Sequence, residues 1–261
     1  MTALILRFPP KHLKGLHLEN GTDTDHDVDI LAGECRDDAD TYSLISSGTV
    51  TAAIDASGAN GLDTWVVAAG TWYSLWVIAK TSDGTVAGLF STSTTEAGLT
   101  YPSGYDVARR VGYVRTDASA NIYPFKMNQA EGRARWVYWN ASMAGNVDFR
   151  LLSLGTASGY TDCPLLGGGD DVIAPSACQS LIKLIAERTG SSSNWAAQAR
   201  PNGTSIETAM ETIYGMAASN DGRGDQNFIM PIIDGDRVIE YRRNSANGTV
   251  TIYCIGYQDA L

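Results

Sequence analysis

The chain has 261 residues, 44% of them hydrophobic and 18% charged, with 19 Lys and Arg against 29 Asp and Glu. The net charge of −10 repels phosphate backbones, which argues against a nucleic-acid partner, and no apolar run reaches the roughly 18 residues of a membrane span, which argues against membrane insertion. The length suits one large domain or two of about 100–150 residues each, and Gly, Ser, Thr, Asn and Ala replace the missing charge, a mix that favours turns and strands over solvated helices.

The opening "MTALILRFPP" is too short for a secretory apolar region and lacks a small-residue cleavage site, so folding in a cytosol is expected. The stretch "DTDHDVD" follows, with Asp23, Asp25, Asp27 and Asp29 spaced around His26. Read as a calcium loop, Asp23, Asp25 and Asp27 take the first, third and fifth positions and Glu34 the twelfth. Val28 stands at the sixth, where the sharp turn needs glycine, so the expectation is a solvated acidic loop leading into "VDILAGEC" and no metal site. The flanking carboxylates should raise the His26 pKa.

Thr71–Ser93 is the clearest strand signal. Trp72, Trp76 and Ile78 fall on one face and Tyr73, Leu75 and Val77 on the other, which predicts a central strand covered on both sides. Ser82-Asp83-Gly84 then turns the chain into a hairpin partner. A strand from Arg109 to Arg115, a turn at Asp117 to Ala120 and a strand from Asn121 repeat the form. The polar stretch 127–135 marks a boundary, giving domains 1–130 and 131–261.

In the second half "LLGGGDD" reads as a loop. "IAPSACQSLIKLIAERTG" fits a helix capped by Ser176 or an alternating strand; strand is preferred, with Gly190 to Asn194 as a hairpin loop into "WAAQARP". "SIETAMETIYGMAAS" carries the same ambiguity. Arg223-Gly224-Asp225 reads as a polar turn. Asn247-Gly248 predicts a final hairpin across "DRVIEYRRNSANGTVTIYCIGYQDA".

Cys35, Cys163, Cys178 and Cys254 show no C-x-x-C spacing and are expected to be buried free thiols. Trp65, Trp72, Trp76 and Trp136 lie in apolar contexts and read as core. Tyr101, Tyr105 and Trp195 lie by loops and are the better candidates for a glycan-stacking face, with core or interface packing as the alternative. No G-x-S-x-G, H-E-x-x-H, P-loop or dinucleotide fingerprint occurs, so the expectation is no catalytic residue, no cofactor and no enzyme activity.

"FPPKHLKGLHLENGTDTDHDVDILAGECRDD" resembles the opening of a module of bacteriophage tail-fibre and related virion proteins, a phrase of the type gl.l.n…D..hDi.i..G. "GTWYSLWVIAKTSDGTVAGLFSTS" and "YPSGYDVARRVGYVRTDASANIYPF" resemble the phrases that follow: a Trp-Tyr strand, an Arg-Arg-x-Gly strand and an Asp-turn-Asn-Ile-x-x-Phe hairpin. The resemblance covers residues 8–128. It implies a virion structural protein, usually trimeric, that takes part in host attachment or decorates the particle, and it carries over no catalytic residue. The expected fold is all-β, two antiparallel β-sandwich (jelly-roll-like) domains with little helix. The expected partners are the chain itself as a homotrimer, other virion proteins, and a host surface glycan or receptor; the expected location is the virion, assembled in a bacterial cytoplasm. The alternatives are a capsid decoration protein or head fibre, and a stand-alone carbohydrate-binding module. A depolymerase-type tailspike would call for a long parallel β-helix pattern, which the sequence lacks.

Overall fold

The computed structural model describes residues 8–64, 66–128, 134–140, 149–167, 170–188, 195–204, 211–215, 222–233, 237–244 and 248–261. The protein is all-β. Among the described residues the named helical element is one 3₁₀ turn, Glu96–Gly98. The chain divides into two compact units: Met1–Ala141 with Asp259–Leu261, and Ser142–Gln258. The division falls later than the polar stretch 127–135, because the strand "ARWVYW" belongs to the first unit.

The first unit contains β1 (Leu13–Gly15), β2 (Leu18–Asn20), β3 (Asp27–Ile30), β4 (Gly33–Arg36), β5 (Ser43–Ser46) and β6 (Val50–Ala53). It continues with β7 (Gly61–Leu62), β8 (Trp72–Ala79), β9 (Val86–Ser91), β10 (Val107–Arg115), β11 (Phe125–Met127) and β12 (Ala134–Trp139). Four of its ladders join strands that are consecutive in sequence. β2 pairs with β3, β4 with β5, β8 with β9 and β11 with β12, all antiparallel. β7 joins β9 in parallel.

β8 is buried on both faces from Tyr73 to Ala79, as its two apolar faces require. On one face Trp76 and Ile78 pack with Ala87, Leu89 and Ala108. The indole N–H of Trp76 reaches Ser74 Oγ at 2.6 Å, and Ser74 Oγ donates to the Ser93 carbonyl at 2.6 Å. The polar end of the largest core side chain is therefore satisfied inside the sheet. Asp83 Oδ1 accepts the Thr85 N–H at 2.9 Å and Gly84 takes φ +76°, which closes the β8–β9 turn.

Closer still is the crossing of β1 and β4, where Gly15 faces Gly33. A Cβ on Gly33 would lie 2.4 Å from Leu16 N and 2.5 Å from Lys14 O, so two backbones occupy the space of a side chain.

The second unit contains β13 (Arg150–Gly155), β14 (Thr161–Pro164), β15 (Leu166–Gly167), β16 (Asp170–Asp171) and β17 (Ala177–Arg188). Then come β18 (Trp195–Pro201), β19 (Glu211–Gly215), β20 (Gly222–Pro231), β21 (Val238–Arg243) and β22 (Gly248–Ala260). β13, β22, β17 and β20 share one sheet; β14, β21, β18 and β19 form another. The two meet at Gly155, where a Cβ would come within 2.6 Å of the Tyr241 hydroxyl.

The strand reading of 177–188 holds, but two expected hairpins do not form. β17 pairs with β20 rather than with β18, which lies between β19 and β21. β21 pairs with β14 and β18, whereas β22 lies beside β13 and β17. A strand has two hydrogen-bonding edges, and both edges of β21 are taken before β22 can use one. The turn residues 189–194 and 245–247 lie outside the described residues. "LLGGGDD" contributes the short ladder β15–β16, with Leu166 opposite Asp171. Of "SIETAMETIYGMAAS", residues 211–215 form β19, and 205–210 and 216–219 lie outside the described residues.

Arg223-Gly224-Asp225 is not a turn. It lies inside β20 opposite Glu187, Ala186 and Ile185. Arg223 pairs with Glu187 at 3.1 Å and Asp225 with Lys183 at 3.0 Å, cross-strand ion pairs on an open face. Three cysteines, Cys35, Cys163 and Cys254, are buried, and burial pushes each thiol up to about 12. Cys178 departs from the expectation: it is exposed, near the start of β17.

Candidate functional site

The acidic stretch is divided between a turn and a strand. Asp23 Oδ1 accepts the Asp25 N–H at 3.1 Å, and the Asp23 carbonyl accepts the N–H groups of His26 and Asp27 at 3.2 and 2.7 Å. Asp27 then opens β3, with Val28 and Ile30 buried and Asp27 and Asp29 outward. Thr51 Oγ1 donates to Asp29 at 2.5 Å, so this outward acid is held by a hydroxyl on the neighbouring strand.

His26 Nδ1 lies 2.9 Å from Asp23 Oδ2. That hydrogen bond is the main reason the imidazole pKa is raised above its usual 6.5 and the Asp23 pKa lowered below its usual 3.8. Glu34 lies on β4 in a different sheet and meets His12 Nε2 at 3.1 Å. The structure therefore gives Asp23 and Asp27 local backbone partners and directs Glu34 to a histidine. Among the described residues no group of three or more His, Cys, Asp or Glu could hold a metal ion.

Tyr101 and Tyr105 are half-buried, packed against the Trp76–Ile78 cluster. The Tyr101 hydroxyl donates to Glu96 Oε1 at 2.7 Å, and the same oxygen accepts the Ala108 N–H at 3.2 Å. Burial, then the Glu96 bond, raises the Tyr101 pKa. Lys80 Nζ lies over the Tyr105 ring, 5.0 Å from its centre. Both rings thus clasp the loop before β10 to the core, the alternative to an open stacking face. Trp195 opens β18 opposite Gly215; its side chain, like Trp65, lies outside the described residues.

Two exposed features escaped the sequence reading. On β12, Arg135, Val137 and Trp139 are buried while Ala134 and Tyr138 are exposed and Trp136 is half-buried. The Trp136 and Tyr138 rings stack on the outward face, 6.3 Å apart at 28°. The expectation of Trp136 as core does not hold: the period-2 alternation of β12 assigns it to the other face. The second feature is β5, where Leu44 and Ser46 point inward and Ile45 is 58% exposed. Ile45 borders hollows of about 400, 150 and 300 Å³, whose walls include Lys14 and Glu34, Tyr42 and Lys80, and Thr49 and Val86. The signal in the sequence was an isoleucine at an outward position of an edge strand.

The residues of the three phrases quoted from 8–128 are structural corners of the first unit. Leu16, Leu18, Val28 and Ile30 are fully buried, and Gly15 and Gly33 make the close crossing. Asn20 Oδ1 accepts the Phe125 N–H at 3.1 Å. Asp117 Oδ1 accepts the N–H groups of Ser119 and Asn121 at 2.8 and 2.9 Å, and the Ile122 N–H donates to the Asp25 carbonyl at 2.8 Å. No protein-family model matches the chain, and no curated protein matches it.

Proposed function

We propose that the chain is a bacteriophage virion structural protein, a tail-fibre, tail-tip or adaptor component acting in host attachment. In this reading it assembles as a homotrimer beside other virion proteins in a bacterial cytoplasm, and its work is binding and assembly rather than turnover. The observation that supports the reading is the ordered set of phrases across residues 8–128, whose defining residues hold the corners of one β unit together. The outward apolar pair Tyr42 and Ile45, 47% and 58% exposed, suits a chain that is covered in an assembly. A capsid decoration protein or head fibre would rest on the same phrases.

The deciding experiment is immunogold electron microscopy of the parent particles with antibody against this chain. Label at the tail tip supports attachment, and label over the head makes it a decoration or head fibre. Unlabelled particles would overturn the virion reading. A stand-alone carbohydrate-binding module is then the reading to pursue, and the stacked Trp136–Tyr138 face favours it. Loss of glycan retention in Trp136→Ala would test that.

A further inference from the structure

We infer that a hollow beside β10 binds a small oxyanion, a carboxylate or phosphate group carried on a ligand about the size of one sugar. Its walls are Lys11, Asp38, Arg109, Arg110 and Leu261, and its volume is about 230 Å³, below the roughly 300–1,000 Å³ of sites for drug-sized ligands.

The fold brings these residues together from distant positions. β10 is the outer strand of its sheet, and the turn after β4 hooks onto it through the Asp38 N–H and the Ala108 carbonyl, 2.9 Å apart. The register of β10 slips between Arg110 and Gly112. Such an irregularity re-aims side chains, and Arg109 and Arg110, adjacent in sequence, both line the hollow. Lys11 adopts φ +58°, with its N–H on Asp40 Oδ1 at 2.5 Å.

Charge points to the ligand. Three cationic side chains face one side-chain carboxylate in a chain of net charge −10. Arg109 is 5% exposed. Its ionic contact is long, 3.5 Å from Nη1 to Asp38 Oδ1, and its buried Nε has no hydrogen-bond partner. A buried guanidinium is stable when its donors are filled and its charge is answered; here the Nε donor is unfilled and the one ion pair stands at 3.5 Å.

Arg110 supplies preorganisation. Its Nη1 reaches the Thr94 carbonyl at 3.2 Å and the Tyr113 hydroxyl at 3.0 Å, its Nη2 reaches the Ala260 carbonyl at 3.1 Å, and it lies over the Tyr113 ring. All four partners are neutral. They fix the guanidinium without cancelling its charge, and its Nε is left without a partner. A held cation beside an under-compensated one is the arrangement that receives a charge-assisted hydrogen-bonding anion at low ordering cost. This site stands whether or not the chain is a virion component; joined to that reading, the ligand is an acidic substituent of a host surface glycan.

Calorimetric titration of the purified chain at matched ionic strength tests it, with inorganic phosphate, sodium glucuronate and neutral glucose as probes. Phosphate or glucuronate should saturate one site and glucose should not, and the tighter of the two identifies the substituent. Lys11→Glu, at an exposed position, should weaken binding about tenfold, and Asp38→Asn, which removes the competing carboxylate, should tighten it about threefold. Matched melting curves show that the variants fold. No saturation by either oxyanion, or equal affinity in Lys11→Glu and the unaltered protein, overturns the site. Particle labelling bears on the virion reading alone, so the two can fail separately.

Discussion

The two units use the same strands and turns in different ways. In the first, several turns are followed by the strand that pairs with the one before, β2 with β3, β4 with β5 and β8 with β9, although β1 reaches on to β4 and β3 to β6. In the second, the chain changes sheet at most turns. β17 belongs to one sheet, β18 and β19 to the other, β20 to the first, β21 to the second and β22 to the first again. A turn sequence sets where the backbone reverses. Whether the next strand hydrogen-bonds to the last, or crosses to another sheet, depends on which edges are vacant and which faces are apolar.

The largest expected effect is at the backbone crossing of the first unit. Gly33→Ala places a Cβ 2.4 Å from a main-chain nitrogen that cannot yield. Urea denaturation should show a loss of at least about 4 kcal/mol, in the range reserved for a named structural clash. Gly48→Ala, where nothing lies within 4 Å, should be nearly silent. Equal effects would break the claim that close crossings organise this unit.

Gly155→Ala tests the second unit at the meeting of its sheets. The new methyl would press on Leu152 and the buried Tyr241, side chains that can shift in part. A loss of about 1–3 kcal/mol is expected. A loss as large as that of Gly33→Ala would mean that sheet-to-sheet contact is as unyielding as backbone crossing.

Asp117→Ala removes the acceptor for two turn N–H groups and should cost about 1–2 kcal/mol by the same assay. The cysteines sharpen the contrast between surface and core. Alkylation of the native chain should add one adduct, at Cys178, and unfolding should open Cys35, Cys163 and Cys254 as well. Peptide mass mapping reads this directly, and rapid native labelling of Cys35 would contradict its burial.

The smallest effect is at His26. Its imidazole has a raised pKa, so its contribution is full below the unfolded value and fades as pH rises through the folded one. Asp23, with a lowered pKa, contributes above its unfolded value and loses that as pH falls through the folded one. The pair therefore stabilises most between the two, by little, because both groups face solvent. Proton NMR titration should place His26 above 6.5 and Asp23→Asn should lower it; an unmoved midpoint would sink the ion-pair account.

Local chemistry was legible in advance. The two-sided apolar pattern of 72–79 announced a central strand, Asp83-Gly84 and Asp117 announced their turns, and the alternation of 177–188 favoured a strand over a helix. The strand at Arg223-Gly224-Asp225 and the two missing hairpins have a common cause. Each depends on a partner strand far away in sequence, and no local pattern names that partner. The cationic hollow is the extreme case. "ARRVG" reads as one more strand until the turn after β4 and Leu261 arrive beside it. Composition and periodicity determined that this chain is β and where turns such as Asp83-Gly84 and Asp117 fall, because side-chain alternation and turn preference act over a few residues. Tertiary structure decided which strands share a sheet and where charge collects, because edge pairing and burial are settled only when the whole chain competes for them.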